Sequence, residues 1–96
     1  MKFEFEKNDG ILNVTVEGRL DASNAPEFES SLGQNLVDVA ALHINCEKLA
    51  YISSAGLRVL LAAHKKMKGS MKISNVQELV MEVLELTGFA DILEIV

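Results

Sequence analysis

The chain has 96 residues, of which 49% are hydrophobic and 24% are charged. This length fits one domain, and the composition is typical of a globular protein and argues against disorder. The formal net charge of -5 disfavours binding to nucleic acid or to an anionic membrane surface, because like charges repel. The only basic cluster, Lys65, Lys66 and Lys68, is too small to offset this repulsion.

The first two elements are predicted to be the strands of a β-hairpin. Apolar and polar residues alternate over residues 2–6 and again over residues 12–17, as in strands with one buried face. Asn8, Asp9 and Gly10 lie between these segments and tolerate the positive φ angles of a tight turn.

A helix and a third strand are predicted next. Asn24 is the expected N-cap of the helix, and an apolar stripe follows at Phe28, Leu32 and Leu36. Alternation returns over residues 42–46 and predicts the third strand.

A second helix is predicted to begin near Ser54 and to be followed by a short fourth strand over residues 71–73. The apolar side of this helix is expected to contain Leu57, Leu60, Leu61 and Met67.

The third helix has the clearest period in the chain. Asn75 and Glu78 have the spacing of a capping box, and Gly88 is expected just past the end of the helix. Residues 93–96 can form a last short strand. The residues expected to face the core at i, i+3, i+4 and i+7 are Val76, Leu79, Val80 and Val83.

This order of elements, β-β-α-β-α-β-α-β, predicts an α/β fold. The sheet should be mixed, with an antiparallel first hairpin and then parallel strands joined by right-handed crossovers. The helices should then pack mainly on one face of the sheet. No repeat or linker interrupts the pattern, so we expect a single domain over residues 1–96.

The sequence also predicts a cytoplasmic location. Cys46 is the single cysteine, which excludes an intrachain disulfide framework and fits a reducing compartment. The charged start of the chain does not resemble a signal peptide. The longest apolar run is far shorter than the roughly 20 residues that a membrane span requires.

Motifs of catalysis and of metal or cofactor binding were not found. His43 and His64 are too few for a zinc site by themselves, and no ligand pair has the spacing of a metal motif. Both are expected to be structural or solvated, and Cys46 is expected to be a small core residue. No nucleophile elbow, Walker loop or dinucleotide fingerprint is present. We therefore expect no enzyme activity, no cofactor and no bound metal.

One segment, Leu49–Leu61, has two interpretations. In the first, Ser53 or Ser54 caps the second helix, and Gly56 permits close packing against a neighbouring backbone. In the second, the same geometry favours a phosphate on a serine, because free N–H groups and the helix dipole stabilise an anion there. Such a phosphate would add about -1.5 to -2 charge units at neutral pH.

This segment resembles the STAS domain of the anti-sigma factor antagonist family. The family has an Asp-Ser-(Ser/Thr/Ala)-Gly-Leu run between the third strand and the second helix, and this chain has Ser53–Leu57 there. A second family feature, Gly-x-Leu/Ile-Asp after the second strand, is matched by Gly18–Asp21. The predicted order of elements also agrees with a STAS-like fold, so the resemblance covers nearly the whole chain.

The resemblance implies a phosphorylation-controlled partner switch. The unphosphorylated family members bind an anti-sigma factor serine kinase with a histidine-kinase-like ATPase fold and free the sigma factor. Phosphorylation releases the kinase, and a serine phosphatase resets the switch. The position of the family phosphoserine corresponds to Ser54. Asp21 and Ser53 are expected at the partner-binding edge, together with Gly56.

Two positions depart from the family pattern. Ser53 replaces the motif aspartate, which removes a negative charge beside the acceptor and supplies a rival hydroxyl. Asn45 stands where the family often has an aspartate late in its third strand. Both departures concern recognition by the kinase. The alternative function is therefore a STAS scaffold subunit that does not switch, within a sensor or transport complex.

Arg58 is a further candidate for partner binding. A cation in the first turn of a helix opposes the helix dipole, so its presence there calls for a reason. Arg58 either extends into solvent or contacts an acidic partner, and in the second case it could also pair with a phosphate on Ser54.

Overall fold

The computed structural model describes all residues, Met1–Val96. Five strands and three α-helices alternate in the predicted order. Their bounds are β1 Lys2–Asn8, β2 Ile11–Leu20, α1 Ala25–Asn35, β3 Ala41–Ile52, α2 Ser54–Lys66, β4 Met71–Ser74, α3 Glu78–Leu86 and β5 Glu94–Ile95, with a 3₁₀ turn at Phe89–Asp91 between α3 and β5.

The strands form one mixed sheet in the order β1-β2-β3-β4-β5. β1 and β2 pair antiparallel, and every later pair is parallel, which confirms the predicted topology. Asp9 and Gly10 both have positive φ angles, of 51° and 79°, in the hairpin turn. The predicted turn is therefore also confirmed, because these residues tolerate that conformation.

The core lies on one face of the sheet, under the helices. Leu12, Val14 and Val16 alternate with half-exposed neighbours along β2. The predicted stripe of α1 is buried against this face, where the ring of Phe28 lies 5.3 Å from that of Phe3. The opposite face keeps polar side chains, and we call it the open face. None of the helices is both long enough and apolar enough to span a membrane.

β3 is longer than the sequence pattern indicated. The alternation predicts a strand over residues 42–46, but the strand continues to Ile52, and Leu49 and Ile52 are both buried. Two register shifts between β3 and β2 explain why the alternation fails there. The first lies between the pairs Thr15–Asn45 and Glu17–Lys48, where β3 advances by three residues and β2 by two, and the second lies between the pairs Gly18–Leu49 and Arg19–Tyr51. The extra residues change which side chains face the core. Only Ser53 then separates β3 from α2.

The start of α3 also differs from the prediction. The helix begins at Glu78 with Gln77 as its N-cap, so the capping box expected from Asn75 does not form. Asn75 instead has a φ angle of 55°, and its side-chain amide donates to Asn45 Oδ1 over 3.2 Å. This long-range hydrogen bond replaces the local cap.

The buried stripe of α3 is correspondingly displaced. Val80 and Leu84 are buried, whereas Leu79, expected in the core, is 55% exposed. Val83 is only partly buried against the core. The predicted end of the helix is confirmed, because Gly88 follows the C-cap and has a φ angle of 82°.

The apolar side of α2 is mostly as predicted. Leu57 and Leu60 are buried, and Met67 is partly buried against the core at the C-cap position. Leu61 is only half-buried, so its assignment to the core side is wrong. Its place is taken by Val59 and Ala63, which are buried.

Candidate functional site

The candidate site lies where β2 and β3 end side by side. Leu20 and Ile52 are register partners at the ends of these parallel strands. The backbone N–H of Ser53 then donates to the Leu20 carbonyl over 2.9 Å. The carboxyl ends of parallel strands meet at one edge of a sheet, and ligand sites commonly form there. The two motifs of the sequence, Gly18–Asp21 and Ser53–Leu57, are therefore neighbours in space.

Ser53 is the N-cap of α2. Its backbone is extended, and its hydroxyl oxygen accepts from the Gly56 N–H over 3.4 Å. The carbonyl of Ser53 also accepts from the Leu57 N–H over 2.9 Å. The capping interpretation thus applies to Ser53, whose side chain is half-buried.

Ser54 is the first residue of α2 and is exposed. Its hydroxyl group forms no hydrogen bond within the chain, in contrast to that of Ser53. The first N–H groups of a helix lack partners within the helix, and the helix dipole favours negative charge at this end. The hydroxyl group of Ser54 is therefore accessible at a position that stabilises an anion.

Gly56 holds the start of α2 close to the sheet. A Cβ atom at this position would lie 2.8 Å from Ile52 Cγ1 and 2.8 Å from Leu20 Cγ. Both neighbours are buried and cannot turn into solvent. Close packing at Gly56 is therefore confirmed, but its neighbours are the side chains of Leu20 and Ile52 and not the backbone that the sequence interpretation expected.

The loop before α1 fixes Asp21. The Asp21 carboxylate accepts from the Ser23 backbone N–H over 3.0 Å and from the Ser23 hydroxyl over 2.6 Å. These two hydrogen bonds, the hydroxyl first, hold the pKa of Asp21 below its usual value of 3.8. Asp21 therefore presents a negative charge beside the start of α2.

Asn24 contributes to this loop in an unexpected way. It occupies the predicted N-cap position of α1, but its side chain caps no N–H group of that helix. Instead, Asn24 Oδ1 accepts from the Asp21 N–H over 3.0 Å, and Asn24 Nδ2 donates to the Arg19 carbonyl over 2.8 Å. The side chain ties the end of β2 to the N-cap of α1.

Arg58 is exposed on α2, one turn after Ser54. It lines an open groove between the first turns of α1 and α2, opposite Ala22 and Pro26. No carboxylate lies within 4.0 Å of its guanidinium group, since the one ion pair of the chain joins Lys72 and Glu94. An exposed, unpaired Arg58 agrees with either of the two interpretations, solvent or partner.

Chemically reactive groups are scarce elsewhere. Burial raises the pKa of the Cys46 thiol to about 12, and the side chain is 2% exposed, which confirms it as a core residue. His43 is exposed on β3, and His64 is half-buried on α2. No group of three metal-ligating side chains occurs in the chain. The surface depressions are open to solvent.

Two contacts were not found from the sequence, one at the site and one further back along β3. The guanidinium carbon of Arg19 lies 4.1 Å from the centroid of the Tyr51 ring. Asn45 accepts from the Glu47 N–H over 3.0 Å as well as from Asn75, so it fixes the register shift in β3. Arg19 lies inside the Gly18–Asp21 motif, but its contact with Tyr51 depends on the register of β2 and β3, which are far apart in sequence.

Comparison with known proteins gives a consistent result. The family model described as "STAS domain" matches residues 2–96. A protein of Bordetella bronchiseptica that is named as an anti-sigma factor antagonist is 34% identical, over 96% of this chain and 83% of its own. The anti-sigma-B factor antagonist of Bacillus subtilis is 28% identical, over 96% of this chain and 87% of its own.

Solved structures agree. The crystal structure of an anti-sigma factor antagonist from Mycobacterium paratuberculosis has a TM-score of 0.88 and 26% identity, covering 98% of this chain and 83% of its own. The anti-sigma factor antagonist SpoIIAA in its unphosphorylated form has a TM-score of 0.85 at 17% identity, covering 99% of this chain and 88% of its own. The second likeness concerns the fold.

Proposed function

Since this chain belongs to the STAS domain family of anti-sigma factor antagonists, we propose that it is a partner switch controlled by phosphorylation of Ser54. In the unphosphorylated state it binds an anti-sigma factor serine kinase with a histidine-kinase-like ATPase fold, and the sigma factor is freed. Phosphorylation of Ser54 releases the kinase, and a serine phosphatase restores the binding form. Sigma factors act in the cytoplasm, so the switch operates there.

The exposed hydroxyl of Ser54 at the first position of α2 is the observation that supports this proposal. A kinase can reach it without unfolding the helix, because it makes no hydrogen bond within the chain. Ser53 is a poorer acceptor, since its hydroxyl accepts from the Gly56 N–H and its side chain is half-buried. Phosphate on Ser54 would therefore leave the N-cap intact.

The energy that such a switch needs is modest. A phosphate adds about -1.5 to -2 charges at neutral pH. A change of about 3 kcal/mol in binding free energy changes partner affinity more than 100-fold. An unmatched charge buried at an interface can supply this amount. Asp21, which is already ionised beside Ser53, increases the negative charge against which a partner must dock.

The test is phosphorylation by candidate cognate kinases with ATP, followed by tandem mass spectrometry. We expect phosphate on Ser54 in the wild type and in Ser53→Ala, and none in Ser54→Ala. Ser54→Ala should remain folded and bind its kinase permanently. Phosphate on Ser53 alone, or equal labelling of Ser54→Ala, would contradict the assignment of the acceptor.

A second function is favoured by one position. Ser53 stands in place of the motif aspartate that the family resemblance predicts, so the negative charge that accompanies the acceptor is missing. A chain that no cognate kinase labels, but that binds a sensor or transport complex at all times, would be a scaffold subunit. Stable complex formation without any effect of ATP would identify this alternative.

A further inference from the structure

Arg19 is an exposed cation whose side chain lies over an aromatic ring. Its guanidinium carbon lies 4.1 Å from the centroid of the Tyr51 ring, and the two residues are register partners in β2 and β3. A planar guanidinium group stacks on an aromatic face and then loses less freedom when it binds an anion. The Asn24 amide also holds the Arg19 carbonyl over 2.8 Å.

The binding capacity of Arg19 is not used within the chain. No carboxylate lies within 4.0 Å of its guanidinium group. Asp21 is close enough for the charge of Arg19 to contribute weakly to its lowered pKa, but the hydrogen bonds of that carboxylate come from Ser23. The N–H groups of Arg19 therefore remain available to an acceptor from outside.

Arg19 lies on the open face of the sheet. The next residue, Leu20, is buried under the helices, so Arg19 faces the other way. Further along this face, Lys2 and Lys48 are the register partners of Glu17 on either side, and all three line one open depression. Glu4 also lines this depression, so its two cations are balanced by two carboxylates, whereas no carboxylate lies within 4.0 Å of the Arg19 guanidinium group.

We propose that Arg19, held in place by Tyr51, is an anchor that binds an acidic side chain of the anti-sigma factor kinase. The interface then extends from Ser54 across the ends of β2 and β3 onto the open face. The inference rests on the proposed function, because it assumes that the kinase docks at Ser54. Pairing of Arg19 with a phosphate on Ser54 is disfavoured, since α2 starts on the helix-covered side of the sheet.

The first test measures binding of the unphosphorylated protein to the kinase by calorimetry. Arg19→Ala should weaken binding more than about tenfold, as expected of an interface anchor. Arg19→Lys keeps the charge and should recover only part of the loss, because it lacks the planar fork. Tyr51→Phe should bind like the wild type, and Tyr51→Ala should lose about 2–5-fold, the value of an exposed cation–π contact.

Lys65→Ala is the matched control. Lys65 is exposed at the other end of α2, so the variant removes the same charge far from the site. Its affinity should change less than about twofold, as is usual for an isolated surface charge. If Lys65→Ala and Arg19→Ala lost equal affinity for the kinase, the effect would be one of net charge alone, and the proposal would be overturned. If Arg19→Ala bound the kinase like the wild type before phosphorylation and differed from it only after phosphorylation of Ser54, the anchor would be overturned and Arg19 would be assigned to the phosphate.

A second test needs no kinase and separates the two proposals. Hexaglutamate is titrated into the isotope-labelled protein, and amide and side-chain NMR shifts are followed. We expect shifts centred on Arg19 and Tyr51 that disappear in Arg19→Ala. Shifts confined to residues 65–68 would overturn the anchor, whatever the kinase does. If hexaglutamate bound at Arg19 but the protein bound no kinase, Arg19 would still be a site for acidic groups, and the proposed function would be rejected.

Discussion

Replacement of Gly56 by alanine should destabilise the domain through a steric conflict at the start of α2. The added Cβ would lie 2.8 Å from Ile52 Cγ1, 2.8 Å from Leu20 Cγ and 3.1 Å from Leu20 Cδ2. Overpacking of this kind costs about 1–3 kcal/mol. The higher helix propensity of alanine offsets up to about 1 kcal/mol of this loss in folding free energy. Leu20 and Ile52 are each 1% exposed and cannot move aside. We therefore expect a net loss of about 1–2 kcal/mol.

Urea denaturation of Gly56→Ala and Gly33→Ala, followed by circular dichroism, measures this difference. Gly33 is also helical, in α1, but a Cβ there would meet nothing within 4 Å. Gly33→Ala should therefore gain up to about 1 kcal/mol from propensity alone. The melting temperature should fall by about 4–8 °C per kcal/mol lost in a domain of this size. If Gly56→Ala were as stable as Gly33→Ala, the close contact between α2 and the strand ends would not restrict position 56.

The other predictions concern the core, the thiol and the loop before α1. Leu84→Ala should cost about 2–5 kcal/mol in urea denaturation, because Leu84 is 0% exposed, whereas Leu79→Ala should cost far less; similar losses would place both on the core side. The Cys46 thiol, with its pKa raised to about 12, should stay protonated at pH 8 and react with a disulfide reagent only as fast as the protein unfolds; rapid labelling of the native protein would contradict its burial. Ser23→Ala should raise the pKa of Asp21 toward 3.8, as followed by NMR titration, since the Ser23 hydroxyl is the largest cause of the lowering. The stability that the ionised Asp21 carboxylate contributes is present above pH 3.8 and is lost as the pH falls through the lower folded-state pKa. The part of the stability difference between the wild type and Ser23→Ala that this carboxylate causes should therefore disappear below that pKa.

Local sequence signals predicted the elements that local chemistry determines. Asp9 and Gly10 specify the hairpin turn because few other residues adopt positive φ angles, and Gly88 marks the end of α3 for the same reason. The start of α3 was not predictable in this way. Asn75 could have capped a helix, but it bonds to Asn45, 30 residues away, and nothing in the local sequence distinguishes the two outcomes.

The same distinction applies to the candidate site. The position of Ser53 and Ser54 at a helix start could be predicted, since it depends on the residues of one turn. A glycine in that turn indicated close packing, but its neighbour Leu20, 36 residues away on β2, could not be identified from the sequence. The stack of Arg19 on Tyr51 could not. It depends on the parallel register of β2 and β3, including a shift between the pairs Gly18–Leu49 and Arg19–Tyr51, which the sequence of neither strand reveals.

The connection between β3 and α2 has a mechanical consequence. Ser53 is the only residue between them, its N–H is bonded to β2, and its hydroxyl and carbonyl are bonded to α2. Because one residue with these hydrogen bonds connects the two elements, the start of α2 cannot move relative to the sheet without breaking the hydrogen bond between Ser53 and β2. A phosphate added at Ser54 would then change the charge that a partner meets, and the backbone around it would stay in place. Phosphorylation would then alter partner binding without moving the start of α2.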